Sequence, residues 1–387
     1  MMSRESSGSL QAVPFESLLI VRLSAMGDVI HTLPAVAALR RALPNVTLGF
    51  LIEERWAELL CTPRCPRSGP LSPRRPLIDR VHSVNTTEWR QAPFSFNSWQ
   101  QMAVGLSQLR GIQYDAVIDF QGAIRSALLA RWSGAPIIYG SAQPRENAAT
   151  MLYTRKALTD NNAHVVEQAF ALARTIVPTL SNHSDLKFPV DPDAEKKIVA
   201  LFPETNKFAD KIAILNPGAG WGAKRWPAER YGEVAQELAK DDITSLVNYG
   251  PEEDNLAFAV ERASEGAAKR ITCSISELIS LTRRASIFIG GDTGPLHLAA
   301  ALKIPVVAIF GPTDPVRNGP FGTPSIVLRS ATSITDHTRH SGPELGLLEI
   351  TVSEVVAAAR KLLNRNSTTN LFSAEAPNVE LPRTEHE

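Results

Sequence analysis

Cysteine is scarce in this chain: it occurs only at Cys61, Cys65 and Cys273. That excludes a disulfide framework. It also leaves too few thiolates for a cysteine-based structural zinc site, and no histidine stands at finger spacing from Cys61 or Cys65. A reducing, cytosolic setting is expected. Net charge is lacking too, with 40 Lys plus Arg against 40 Asp plus Glu. A balanced chain gives no support to a nucleic-acid partner and lacks the acidic signature of a disordered, solvating polymer. No apolar run approaches the roughly 18 residues that a membrane-spanning helix needs. The polar stretch before Phe15 has no apolar segment of the kind found in signal peptides. No repeat of about 20–50 residues is visible.

What is present is ordinary for a folded globular protein, at 44% hydrophobic and 21% charged residues. At roughly one domain per 150 residues, 387 residues predict two or three domains. The run 18–23 reads as a strand that ends at a turn containing Gly27. A helical pattern follows over 29–40, with Pro34 early in it. Strands are expected at 46–52 and 114–120, and a helix at 124–132. The alternation resumes after residue 210. Strand 212–215 exits into Asn216-Pro-Gly-Ala-Gly220, followed by helix 231–238, strand 243–249 and helices 255–263 and 276–284. Strand 286–289 then leads into Gly290-Gly-Asp-Thr-Gly294, helix 296–302 and strand 306–310. Strands alternating with helices mean parallel βα units, so the chain reads as two doubly wound α/β halves. The boundaries expected are a flexible leader at 1–16, a first domain at 17–190 and a proline-bearing linker at 191–210. A second domain is expected at 211–364 and a disordered polar tail at 365–387. Residues 61–76 hold five prolines with Arg64, Arg67, Arg74 and Arg75 and no acid. Two readings stay open: a solvated surface loop, or a mobile basic flap facing an anionic acceptor.

In open α/β sheets ligands bind beyond the carboxyl ends of the strands. Two such domains facing each other would gather segments 24–32, 216–227 and 290–297 into one cleft. In the last of these a strand gives way to a helix start at Asp292-Thr293-Gly294. Free amides and the positive helix end favour an anion there, and small residues let phosphate oxygens approach. Asp292 would cap that helix, and as an alternative it is only a cap. His297 lies one turn further in, and spacing alone does not make it a base. Lys224, on a glycine-rich strand exit with Gly218, Gly220 and Gly222, would neutralise a leaving diphosphate; its alternative is a solvated turn lysine. The order is not that of a Walker A loop or a dinucleotide fingerprint. Across the cleft, Asp28 stands at the mouth of the first strand with no apparent lysine beside it. An ionised carboxylate there is free to take a proton from an incoming hydroxyl, unless it serves only as an N-cap. Asp119 and Arg125 repeat the theme, with Arg125 suited to a carboxylate or phosphate. The lone Asp-x-Asp, Asp191-Pro192-Asp193, lies away from any strand end, so neither a catalytic metal nor a cofactor is expected.

The segments VRLSAMGDVIHTLPAVAALR (21–40), YDAVIDFQGAIRSALLA (114–130), NPGAGWGAKRWPAERY (216–231) and FIGGDTGPLHLAAALKIPVVAIFGPTDP (288–315) together resemble the ADP-heptose–lipopolysaccharide heptosyltransferases of glycosyltransferase family 9. The heptosyltransferase I subgroup is the most similar. The match runs over roughly residues 17–364. It implies the GT-B fold, with two Rossmann-like domains across a cleft. It also implies inverting transfer of L-glycero-D-manno-heptose from ADP-heptose to a Kdo residue of Kdo-lipid A, at the inner face of the cytoplasmic membrane. By the same resemblance Asp28 is the general base. Lys224, Asp292, Thr293, Gly294 and His297 match donor-binding positions, and Glu253 the ribose-binding acid, with Glu252 as its rival. Arg145 and His164 match acceptor-side positions, although Gln168 stands where the family commonly carries a basic residue. Residues 61–76 and 97–111 are the expected membrane-docking segments. Alternatives are transfer to heptosyl-Kdo-lipid A, a sugar-nucleotide epimerase of the same fold, and a non-catalytic sugar-nucleotide- or lipid-binding protein.

Overall fold

The computed structural model describes residues 13–91, 96–182, 186–202, 211–336, 338 and 342–372. The first half contains β1 (Ser17–Val21), α1 (Met26–Ala42), β2 (Thr47–Glu53), β3 (Arg80–Val84), α2 (Thr86–Gln91), α3 (Phe96–Gly111), β4 (Ala116–Asp119), α4 (Ile124–Trp132), β5 (Ile137–Ser141), β6 (Arg155–Ala157) and α5 (Val165–Ala173). The second contains α6 (Pro192–Ala200), β7 (Ile212–Asn216), α7 (Ala228–Ala239), β8 (Thr244–Asn248), α8 (Asp254–Ala263), β9 (Ala268–Ile271), α9 (Ile275–Arg284), β10 (Ile287–Gly291), α10 (Gly294–Ala301), β11 (Val306–Ile309), α11 (Pro315–Asn318), β12 (Ser325–Leu328), α12 (Leu345–Glu349) and α13 (Val352–Phe372). Two six-stranded sheets result, ordered β3-β2-β1-β4-β5-β6 and β12-β11-β10-β7-β8-β9. Every strand pairing within them is parallel. This is the doubly wound α/β architecture expected, once in each half.

The central strands are buried on both faces, which is why they read as unbroken apolar runs rather than alternating ones. In β1 and β7 every residue but Ser17 is buried. The two halves share a core. Leu278 and Ile279 of α9 and Leu298 of α10 belong to the same buried cluster as Val29, Ile30 and Leu33 of α1. The seam between the domains is therefore apolar beneath its polar mouth.

Several expectations need correction. Pro34 lies in the interior of α1, not in its first turns, because the helix begins at Met26. The chain beyond 364 is not all tail: α13 runs to Phe372. Val355, Val356, Ala359, Leu362 and Leu363 recur at helical spacing and bury one face against the second domain. Within the linker, α6 is a regular helix. It starts at the Asp191 cap and is tied to α9 by Lys197–Glu277 and by Glu195 with Arg283 and Arg284. Residues 203–210 of that linker, residues 1–12 of the leader and residues 373–387 of the tail lie outside the described residues.

Segment 61–76 is not a mobile basic flap. It is folded against the amino-terminal edge of the first sheet, where Ser68 bridges Arg80 at the start of β3. Arg64 and Arg67 have partners outside the segment, and Arg75 is held by carbonyls within and next to it. Arg64 meets Asp193 at 2.7 Å and Arg67 meets Glu54 at 2.6 Å. Arg75 is buried and donates to the carbonyls of Pro66, Pro70 and Ile78. Prolines prevent helix and ladder here but not a compact loop whose carbonyls face a buried guanidinium.

Candidate active site

The loop from β1 to α1 is held from below. Leu23 and Ser24 donate their backbone N–H groups to Gln121 Oε1 at 3.0 and 3.2 Å. Gln121 is fixed in turn by Asp119, a buried carboxylate. Asp119 accepts from Gln121 N, Gly122 N, the Ser126 hydroxyl and the Tyr153 hydroxyl. Burial pushes the Asp119 carboxyl up, and these four donors oppose that shift. Asp119 is thus a pillar under the loop, not a group facing the cleft, which corrects its pairing with Arg125 as a cleft residue. Arg125 does reach the rim, where its Nη2 donates to Ser24 Oγ at 3.1 Å. Arg145 is exposed on the loop after β5. Its backbone nitrogen lies close to Gly122, so it borders the same rim.

Asp28 stands in the first turn of α1 and is not unencumbered. Its Oδ2 accepts the Ala25 N–H at 3.1 Å, and its Oδ1 lies 3.1 Å from Arg22 Nη2. Arg22 also donates to the Phe120 carbonyl. Asp28 therefore keeps its carboxylate aimed and 41% exposed at the cleft mouth, with a guanidinium rather than a lysine beside it. Sequence reasoning missed Arg22. The signal was the one cation at the strand exit, six residues from Asp28, and only the loop geometry closes that gap.

In the second half, Thr293 rather than Asp292 occupies the N-cap position of α10. Asp292 caps nothing. Its Oδ2 lies 2.5 Å from Lys224 Nζ, and its Oδ1 lies 2.9 Å from His297 Nε2. Burial works against its charge, but His297 and then Lys224 outweigh burial and hold the Asp292 carboxyl well below the usual range. Lys224 is no solvated turn lysine: 11% of its side chain is exposed, and its ammonium sits 4.3 Å from the centre of the Trp221 ring. Glu253 accepts the Gly250 N–H at 2.8 Å, and its carboxylate packs on Gly218, where a Cβ would come within 2.1 Å of it. Glu252 is exposed beside it in a left-handed backbone conformation. Glu253 is thus the acid at the carboxyl ends of β7 and β8.

The two halves meet at the starts of α1 and α10. A Cβ on Gly27 would lie 2.8 Å from His297 Cδ2, and one on Gly294 would lie 2.7 Å from the Met26 side chain. Glycine at both positions allows this approach. It brings the Asp28 turn against the Asp292–His297 pair. Three imidazoles line the seam. The His31 and His297 ring centres are 4.1 Å apart, and those of His31 and His164 are 5.6 Å apart. His164 caps α5 by accepting the Val166 N–H on Nδ1, and its Nε2 donates to the Gly319 carbonyl at 3.0 Å. Its ring is committed to joining the domains. Gln168 donates to the carbonyls of Asn161 and Ala163, so it secures the loop before α5. Among the described residues no group of three or more His, Cys, Asp or Glu is placed to hold a metal ion.

Three histidines, His31, His164 and His82, make stability depend on pH. Burial first, then His297 and His164, hold His31 well below its ordinary value. Burial also lowers His164, and it lowers His82 to about 4. The folded state keeps these rings neutral, whereas the unfolded chain takes up protons near pH 6.5. The stability they allow is present above that value and is lost as pH falls through 6.5 towards the folded values. His31 alone contributes about 1.4 kcal/mol per pH unit within that window. Urea unfolding at pH 7.5, 6.0 and 5.0 should show the loss, with a shallower slope in His31→Asn. A flat profile between 7.5 and 5.0 would refute it.

Known proteins share this sequence pattern and fold. A family model for glycosyltransferase family 9 (heptosyltransferase) matches residues 105–345. Lipopolysaccharide heptosyltransferase 1 of Pseudomonas aeruginosa is 29% identical over 334 residues, covering 81% of this chain and 83% of that protein. The enzyme of the same name from Escherichia coli K12 is 28% identical over 319 residues, covering 81% and 93%. The solved structure of E. coli heptosyltransferase WaaC with ADP superposes with a TM-score of 0.72 at 26% identity, covering 89% of this chain and 99% of that one. With two parallel six-stranded sheets meeting at a polar cleft and a family model spanning more than half its length, this chain belongs to glycosyltransferase family 9, the heptosyltransferases.

Proposed function

We propose that the protein transfers L-glycero-D-manno-heptose from ADP-heptose to a Kdo residue of Kdo-lipid A, inverting the anomeric carbon. One observation carries the reading: an aimed carboxylate, Asp28, and a buried ion-paired cluster, Lys224 with Asp292 and His297, stand on opposite sides of one seam. Relatives named lipopolysaccharide heptosyltransferase 1 support the sugar, and a WaaC complex described as containing ADP-2-deoxy-2-fluoro heptose supports the donor.

In this mechanism the Kdo hydroxyl gives its proton to Asp28 as its oxygen attacks the anomeric carbon. The new glycosidic C–O bond forms while the bond to the diphosphate breaks, and the electron pair leaves with ADP. Lys224 and the free amides at Thr293 and Gly294 stabilise the charge growing on the leaving group. Glu253 takes the ribose hydroxyls. Asp292 and His297 orient Lys224 and the sugar. Arg125 and Arg145 hold the anionic acceptor, and His164 serves the acceptor side through the domain contact it makes. The acceptor is a lipid, so the enzyme works in the cytoplasm, peripherally on the inner face of the cytoplasmic membrane. No helix among the described residues is long and apolar enough to cross a membrane.

The test offers radiolabelled ADP-heptose with Kdo-lipid A and, separately, with heptosyl-Kdo-lipid A. Label should enter the first. Label entering only the second would overturn the acceptor assignment, and label entering neither would sink the transfer reading.

A further inference from the structure

Helix α4 carries an apolar stripe that no described residue covers. Ile124, Leu128 and Trp132 are four residues apart, which places them along one side of the helix. They are 42%, 47% and 52% exposed. The other side, Ser126, Ala127, Leu129 and Ala130, is buried. Met151, on the short helical turn Asn147–Leu152 that packs beside α4, is 81% exposed. Scattered apolar residues on a surface need no explanation, but a row of them at helical spacing does.

The charge around the stripe is mostly of one sign. The sequence of α4 contains Arg125 and Arg131 and no acid. Arg131 is exposed, as are Arg145, Arg155 and Lys156 on the neighbouring loop and strand. Two acids hydrogen-bond to α4, and of these only Glu146 is exposed. Asp119 is buried and accepts the Ser126 hydroxyl, and Glu146 accepts the Ile124 N–H at 2.8 Å. Apolar anchors ringed by arginine suit an anionic bilayer, where the side chains enter the headgroup boundary and the cations meet lipid phosphates. The stripe also starts at the site. Ile124 precedes Arg125, which bonds to Ser24 on the Asp28 loop. From there it runs roughly 12 Å along the helix axis.

We infer that the α4 face, and not segment 61–76, is the surface by which this protein docks on an anionic phospholipid bilayer, bringing the Asp28 side of the cleft down to the headgroups. The inference rests on the proposed lipid-linked acceptor. Segment 61–76 lies at the opposite sheet edge, where Arg64 and Arg67 are paired with Asp193 and Glu54, away from the Asp28 side of the cleft. Helix α3, in the other expected segment, packs beside α4 and leaves Val104 exposed.

The experiment uses the full chain and the double variant Leu128→Glu/Trp132→Glu, with Leu128→Gln/Trp132→Gln as an uncharged control. Sedimentation is measured with vesicles of phosphatidylglycerol and phosphatidylethanolamine, and with phosphatidylcholine alone. The wild type should bind the anionic vesicles, more weakly as salt rises. The Glu variant should lose on the order of 30-fold in vesicle affinity, with the Gln variant between them. Transfer to a water-soluble Kdo acceptor should be unchanged in both variants, while transfer to Kdo-lipid A in vesicles falls with binding. Unchanged vesicle binding in the Glu variant overturns the docking face. So does a wild-type dimer, seen by sedimentation velocity, that the variant splits without altering vesicle binding. If the wild type ignores the water-soluble acceptor while vesicle binding still depends on Leu128 and Trp132, the acceptor assignment fails and the docking face stands.

Discussion

Asp28→Asn should lower the transfer rate by about 10²–10⁴-fold, the usual worth of a positioned acid or base, while ADP binds as it does to the wild type. Asparagine keeps one acceptor for the Ala25 N–H or for Arg22, so the loop geometry survives and the loss reports the missing proton acceptor. The proposed diphosphate contacts lie on the other domain, and for that reason ADP affinity separates chemistry from binding. Arg22 supplies a second arm. Its guanidinium holds Asp28 Oδ1 at 3.1 Å and so fixes the direction in which the carboxylate points. Arg22→Gln should therefore lower kcat by loosening the aim of the Asp28 carboxylate, and Arg22→Lys should largely restore it. Near-normal turnover in purified Asp28→Asn protein would remove Asp28 from the base role.

Lys224→Met should lower kcat by about 10²–10³-fold, as expected when one group stabilising a developing anion is removed. The single variant has a second effect. Asp292 is only 9% exposed, and in its absence of a lysine it would be a buried carboxylate leaning on His297 alone. Breaking such a pair typically costs about 3–5 kcal/mol of stability. The double variant Lys224→Met/Asp292→Asn separates the two effects. It removes the uncompensated charge and leaves an amide of the same shape, so unfolding free energy should return towards the wild type while the rate stays low. A double variant that is both stable and fast would show that Lys224 serves only to neutralise Asp292. The arrangement also bears on the proposed donor entry: Lys224 is already paired with Asp292, so a diphosphate bound there must share it.

Local sequence was most legible where one residue type does one local job. The apolar runs around 18–23, 212–215 and 306–310 became buried parallel strands, because a strand covered on both faces has no reason to alternate. The helix expected at 124–132 has those same bounds. Elements whose stability comes from distant partners were not legible. Strand β6 is three residues long and exists through its pairing with β5. Helix α13 lies in a polar stretch and is held by its buried side against the second domain. Residues 61–76 looked flexible because Asp193 and Glu54, which pair with Arg64 and Arg67, are far away in sequence or on another turn.

The site divides in the same way. Gly290-Gly-Asp-Thr-Gly294 and the Asp28 turn were recognisable because strand exits followed by helix starts are local features with a local reason to bind anions. By itself the sequence determined two doubly wound halves and the identity of the groups at their strand ends. Which charges those groups carry as partners was decided only by the tertiary structure. Arg22 reaches Asp28 across a loop, Lys224 and His297 converge on Asp292 from different elements, and Gly27 meets His297 across the domain seam. Coulombic and hydrogen-bonding energies depend on distance in space, and a spacing of 68 residues between Lys224 and Asp292 says nothing about the 2.5 Å that the packed sheets impose.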